Sequence, residues 1–292
     1  IYVHMAASHF KRHPQRDEPP HTKQKHTQNI IDLTCLLRFL LVVDETSFYH
    51  PKFVSSVISK LKSRGYDIKV GLVTKVKNSN SIQKYLLKNF RKLYLREFIL
   101  LALKQCFFVT ADFFIKNLNF NFKVESVLKK KNVSYFKIEY DINKKEYLEY
   151  IKKYGPDIIV SSCSVIFGST LLKIPSLGCI NRHSAMLPSY GGLYPVFHSI
   201  ADNNKFSGVT IHKMTEKIDE GEILAQQAVE NIDNNLSKIY KKCFEISANL
   251  ILIGIDNILK NIYIKNNYKK SYFSFPNKEK WLLFRKNKGK FI

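Results

Sequence analysis

The run Phe39-Leu40-Leu41-Val42-Val43 is apolar without interruption. A strand with one wet face alternates apolar and polar residues, so this run must be covered on both faces, as inner strands of parallel sheets are. Phe53, Val54, Val57, Ile58 and Leu61 follow at helical spacing, Ser63-Arg64-Gly65 closes that helix, and 68–73 reads as a second strand. That order opens a doubly wound, largely parallel α/β sheet. The alternation continues with a helix over 123–131, a strand over 133–138, a helix over 144–154 stopped by Gly155-Pro156, and a buried strand over 157–162. No Gly-x-Gly-x-x-Gly follows the first strand, which argues against a dinucleotide there. Farther on, 194–201 reads as a short helix carrying His198, 209–212 as a strand carrying His212, and 236–259 as a long helix packed on the sheet. Both histidines read as packed or surface residues of their elements rather than as catalysts.

The chemistry concentrates between Pro175 and Gln226. If the strand-like Cys179-Ile180-Asn181 stays extended through Arg182 and His183, Asn181 and His183 project to one side. Asp219 stands in the polar turn Thr215-Glu216-Lys217-Ile218-Asp219-Glu220-Gly221. An amide N–H can donate to an oxyanion without titrating. An imidazole can add a second donor or handle a proton near neutral pH, and a carboxylate can orient that ring and draw a proton from an attacking ammonium. The set suits acyl transfer to an amine. Taken singly, the three residues also read as a strand-end cap, a loop histidine and a turn former.

Together Gly178-Cys179-Ile180-Asn181-Arg182-His183, Leu187-Pro188-Ser189-Tyr190-Gly191-Gly192, Gly208-Val209-Thr210-Ile211-His212 and Asp219-Glu220-Gly221-Glu222-Ile223-Leu224-Ala225-Gln226 resemble a known family. They are similar to the formyltransferases that use 10-formyltetrahydrofolate and act on methionyl-tRNA, glycinamide ribonucleotide or nucleotide-linked amino sugars. The resemblance implies a Rossmann-type catalytic domain over 38–230, with Asn181, His183 and Asp219 as catalytic residues. It also implies that Ser164, Val165, Ile166 and Phe167, with Glu216 opposite, hold the folate. Where the family commonly has Arg-Gly, this chain has Gly191-Gly192, so an acceptor contact expected from that Arg must be absent or come from elsewhere. The co-substrate implied is 10-formyltetrahydrofolate, with no metal.

A formal charge of +23 predicts attraction to polyanions, although the lysines are scattered among Tyr, Ile and Asn as base-biased coding would leave them. The five cysteines show no metal spacing, and their odd number reads as a reduced, cytoplasmic chain. Residues 1–30, rich in His and Pro, read as a flexible arm. The apolar insertion 79–121 covers more than one helical face, so it must pack inside, pair with another chain, or touch a membrane through 90–115. Residues 231–292 read as a helix and a basic, aromatic tail, either docked on the domain or free to stack on bases or meet lipid. The stretch after Glu230 is short for the barrel domain of the tRNA enzymes, so a small amine, an amino sugar or its nucleotide-linked form, ranks ahead of methionyl-tRNA as acceptor. A non-catalytic nucleic-acid- or membrane-binding protein on the same fold is the reading from another class. Oligomeric state is not legible.

Overall fold

The computed structural model of the chain describes residues 37–46, 49–76, 92–114 and 123–292. The expected arm at 1–30 and the ends of the 79–121 insertion lie outside the described residues. In order run β1 (Arg38–Asp44), α1 (His50–Lys62), β2 (Asp67–Val76), α2 (Leu95–Phe114), α3 (Val124–Lys130), β3 (Tyr135–Tyr140), α4 (Lys145–Tyr154), β4 (Ile158–Ser162) and α5 (Ser169–Leu172). Then come β5 (Gly178–His183), β6 (Gly191–Gly192), α6 (Pro195–Ala201), β7 (Phe206–Lys213), β8 (Ile223–Glu230), α7 (Leu236–Leu259), β9 (Tyr272–Phe273) and α8 (Lys278–Lys286).

The described residues form one seven-stranded sheet in the order β3-β2-β1-β4-β5-β7-β8. The strands from β3 to β5 are parallel, and β7 and β8 continue antiparallel. The uninterrupted β1 run now has its cause. Phe39, Leu41 and Val43 enter a core with α1, α3 and α7, whereas Leu40 and Val42 enter a second core on the opposite face with Ile151 of α4 and Leu171 of α5. Both sides of the strand are dry.

One strand lies later than its sequence suggests. Asn132 turns with a left-handed φ of 49°, and the Val133 N–H donates to Leu128 O at 3.0 Å, closing the end of α3. The hydrogen-bonded strand therefore begins at Tyr135. At the other end of α3, Glu45 accepts from the N–H groups of Val124 (2.9 Å) and Glu125 (3.0 Å), placing a carboxylate on the helix's positive end.

The C-terminal stretch docks back on the domain. Trp281 and Phe284 of α8 are buried, and Phe284 stacks on Phe197 of α6 at 4.2 Å. Arg285 grips buried Glu97 of α2 with two hydrogen bonds, 3.0 Å to Oε1 and 2.6 Å to Oε2. The N–H groups of Tyr94 and Phe291 donate to the same carboxylate at 3.1 and 3.0 Å. Removing one partner of such a pair strands the other, so Glu97→Ala is expected to lower stability by about 3 kcal/mol, read from chemical denaturation. A loss below about 1 kcal/mol would mean that the pair is solvated in solution.

Along α2, Leu95, Phe98, Ile99, Leu103 and Phe107 are exposed. No helix of the described residues is long and apolar enough to cross a membrane. Peripheral contact through 90–115 finds no support beyond that exposure.

Candidate active site

β5 ends where the parallel strands present their carboxyl ends, beside the loop that follows β4. Along it Cys179, Asn181 and His183 share a face with the α4 core, while Ile180 and Arg182 turn to the other side. Arg182 is buried there, donating from Nε to Ser247 Oγ at 2.9 Å and lying 3.9 Å from the Phe244 ring centroid.

Asp219 comes over β5 from the β7–β8 connection, where its φ of 57° demands a residue tolerant of left-handed backbone. Its Oδ2 accepts from the Gly192 N–H at 2.8 Å. That oxygen lies 3.7 Å from His183 Nδ1, and Oδ1 lies 3.6 Å from His212 Nε2. Asn181 Nδ2 in turn reaches His212 Nε2 at 3.3 Å. The expected trio is thus brought together with a fourth member among them. Sequence reading missed His212 because its role depends on β5–β7 pairing, which sets Asn181 opposite His212. Alternation within β7 alone left it as a packed or surface residue, and it is buried.

Backbone partners fix both rings. A carbonyl only accepts, so His183 Nε2 donates its hydrogen to Tyr190 O at 2.9 Å, and His212 Nδ1 donates to Lys213 O at 2.8 Å. In their neutral forms His183 Nδ1 and His212 Nε2 therefore present lone pairs toward the Asp219 carboxylate. Burial foremost lowers the His183 pKa below 6.5, against the pull of Asp219. Burial opposes ionisation of Asp219, yet contacts with His212 and His183, attractive when those rings carry a second proton, and with the Gly192 N–H outweigh it, and its carboxyl titrates well below the ordinary range. The result is an anion ringed by proton acceptors, a place that favours an incoming ammonium or a proton in transit.

The loop after β4 lies beside this group. Ser164 is exposed, and it is tied to Asp44, its Oγ donating to Oδ2 at 2.6 Å and its N–H to Oδ1 at 3.1 Å. Burial foremost raises the Asp44 pKa. Val165 and Phe167 point into the core, and Ile166 is 67% exposed. The loop accordingly offers an outer ligand the Ile166 side chain, the Asp44-bound Ser164 and backbone groups. Asn143 braces it, donating to Ile166 O at 2.9 Å and accepting from the Gly168 N–H at 2.7 Å. Glu216 is exposed. Among the described residues no group of His, Cys, Asp or Glu could hold a metal ion.

A Cβ on Gly191 would come 3.3 Å from the Tyr272 ring and 3.5 Å from Asp219 Cβ. An arginine there would press on β9. His198, read as a packed or surface helix residue, is buried, with its ring 4.3 Å from that of Phe273.

Residues 118–252 match the family described as formyl transferase. The chain is 34% identical over 133 residues to methionyl-tRNA formyltransferase of Caldicellulosiruptor saccharolyticus, covering 45% of this chain and 43% of that protein. It is 38% identical over 138 residues to methionyl-tRNA formyltransferase of Thermotoga sp. (strain RQ2), covering 46% and 44%. The match thus spans less than half the length of these curated relatives. Among solved structures, a sugar N-formyltransferase from Shewanella sp FDAARGOS_354 shares the fold, with a TM-score of 0.52, 18% identity and coverage of 82% of this chain and 77% of that one.

Proposed function

We propose that this chain, which belongs to the formyl transferase family over residues 118–252, moves a formyl group from 10-formyltetrahydrofolate to a primary amine. The observation that carries this reading is the placement of Asp219 between two imidazole lone pairs, with the Asn181 amide beyond them, at the carboxyl ends of the parallel strands. The acceptor enters as an ammonium held by Asp219 and loses a proton to the cluster. Its nitrogen then bonds the formyl carbon, and the Asn181 amide donates to the oxygen as it gains charge. Collapse breaks the bond to the folate nitrogen, which takes up the proton held on the cluster, and the second proton of the acceptor nitrogen passes to water as the formamide forms. His183, with its Nε2–H given to Tyr190, accepts at Nδ1 first, and it donates toward the oxyanion only once protonated. The pterin lies against Ile166 and the 164–167 backbone, with Glu216 across from it.

The acceptor we favour is an amino sugar or its nucleotide-linked form. Tyr272, 56% exposed beside Gly191, presents an aromatic face at the mouth of the site, a surface suited to a small cyclic ligand. Methionyl-tRNA is the second reading, favoured by the names of the curated relatives. Incubation with 10-formyltetrahydrofolate and each acceptor separates them. Formylation of a nucleotide-linked amino sugar at low concentration with none of methionyl-tRNA supports the first, and the reverse overturns it. Formylation of no amine removes the enzymatic reading.

The pH dependence follows from His183. A proton acceptor works only when neutral, and its pKa is lowered, so kcat/KM is expected to lose activity on the acid side with a midpoint below pH 6.5. The same depressed pKa adds stability that is present above the unfolded value and lost as pH falls through the folded one. An acid limb centred above pH 7 would place a different group in control.

A further inference from the structure

The stretch from Asn266 to Phe273 lies beyond residues 118–252, and it grips the loop that follows His183. Asn266 Nδ2 donates to Leu187 O at 2.9 Å, and the Ser271 N–H to Pro188 O at 3.0 Å. Ser189 Oγ donates to Lys269 O at 2.7 Å. The N–H of Tyr190 donates to Ser271 Oγ at 2.9 Å, that of Gly191 to Ser271 O at 2.9 Å, and that of Leu193 to Phe273 O at 2.8 Å. The Phe273 ring stacks on Tyr190 at 5.5 Å, with 16° between the planes. β6 and β9 thereby form a two-stranded parallel sheet, so closely that a Cβ on Gly192 would collide with Phe273 O.

Two residues of the gripped loop bear on the candidate chemistry. The Tyr190 carbonyl fixes the His183 tautomer, and the Gly192 N–H holds Asp219 Oδ2. We propose that the 266–273 strap is a working part of the catalytic apparatus, with Ser271 and Phe273 as positioning residues that set the imidazole of His183 and the carboxylate of Asp219 through Tyr190 and Gly192. This rests on the formyl transfer reading for its kinetic consequence, though not for its geometry. The strap touches the loop and leaves proton transfer to the side chains it aligns. Misalignment by a fraction of an ångström lowers the rate of the chemical step more than it weakens substrate binding.

Three variants of the full chain test it, Ser271→Ala, Ser271→Thr and the double change Ser271→Ala with Phe273→Ala, with circular dichroism to confirm folding. Loss of one hydrogen bond to the loop is expected to lower kcat about fivefold to tenfold in Ser271→Ala, with KM for the folate unchanged. Ser271→Thr keeps the hydroxyl and is expected to hold wild-type kcat. The double variant is expected to fall about a hundredfold. The ring nitrogens of His183, read by 15N NMR, give a second measure that needs no turnover. Wild type should show a protected Nε2–H and a bare Nδ1, and the double variant a mixture of tautomers. Unchanged kcat together with an unchanged His183 signal in the folded double variant would overturn the proposal. Should the wild type formylate no amine, the proposed activity fails, and the NMR comparison alone then decides whether the strap sets His183.

Discussion

Asp219→Asn is expected to lower kcat/KM about a thousandfold or more while leaving the protein folded. The amide keeps the volume of the carboxylate, tolerates the left-handed backbone at this position, and can still accept from the Gly192 N–H. What it loses is the charge facing His183 Nδ1 and His212 Nε2, and with it the place for an ammonium. The depressed carboxyl pKa contributes stability above its unfolded value that disappears as pH falls, and the amide removes that contribution. A modest drop in Tm at neutral pH should therefore accompany the loss of rate, and the drop should vanish in acid. Steady-state kinetics and thermal melts across pH make the check. Activity within tenfold of wild type would show that Asp219 only shapes the turn.

Asn181→Ala should produce the second large effect, a fall in kcat of about a hundredfold to a thousandfold with little change in KM for either substrate. The amide is asked to act only when charge builds on the formyl oxygen, so its loss falls on the transition state. The change also removes the group 3.3 Å from His212 Nε2. His212→Ala, in which Asn181 remains, separates the two roles. If Asn181 acts through the oxyanion, His212→Ala is milder than Asn181→Ala. If it acts by holding His212, the two variants match. A rise in KM with kcat intact would instead assign Asn181 to ground-state binding.

Why some of this was readable in the chain and some not has a physical basis. The parallel α/β class followed from apolar runs such as 39–43, because burial on both faces leaves no room for alternation. Asn181 and His183 share a face through local geometry, two residues apart on one strand. Asp219 stood out through its turn and its resemblance to a known arrangement, and its distance from the rings needed the fold. His212 and the strap lay beyond reach for one reason. Their significance comes from pairing between distant segments, Asn181 with His212 and Gly191 with Tyr272, and no local pattern encodes a register between strands. The 133–138 expectation was two residues early because hydrophobicity at Val133 serves burial, while its N–H was already taken by the end of α3. In the 163–168 loop, the folate contacts were implied by position in the resemblance alone, through backbone groups. Burial of Val165 and Phe167 leaves Ile166, the Asp44-bound Ser164 and the backbone as what the loop presents.

The shared claim behind these results is that one carbon atom passes from folate to amine over Asn181, His183 and Asp219. Following it directly requires 10-formyltetrahydrofolate labelled with 13C in the formyl group, the full chain, and an amino-sugar nucleotide, observed by 13C NMR. The account predicts that the label leaves the folate signal and appears as a formamide on the acceptor, in equal amounts, with Asp219→Asn stopping the transfer. Label released as free formate with no formamide formed, or a formamide that builds up as fast with Asp219→Asn as with wild type, would contradict it.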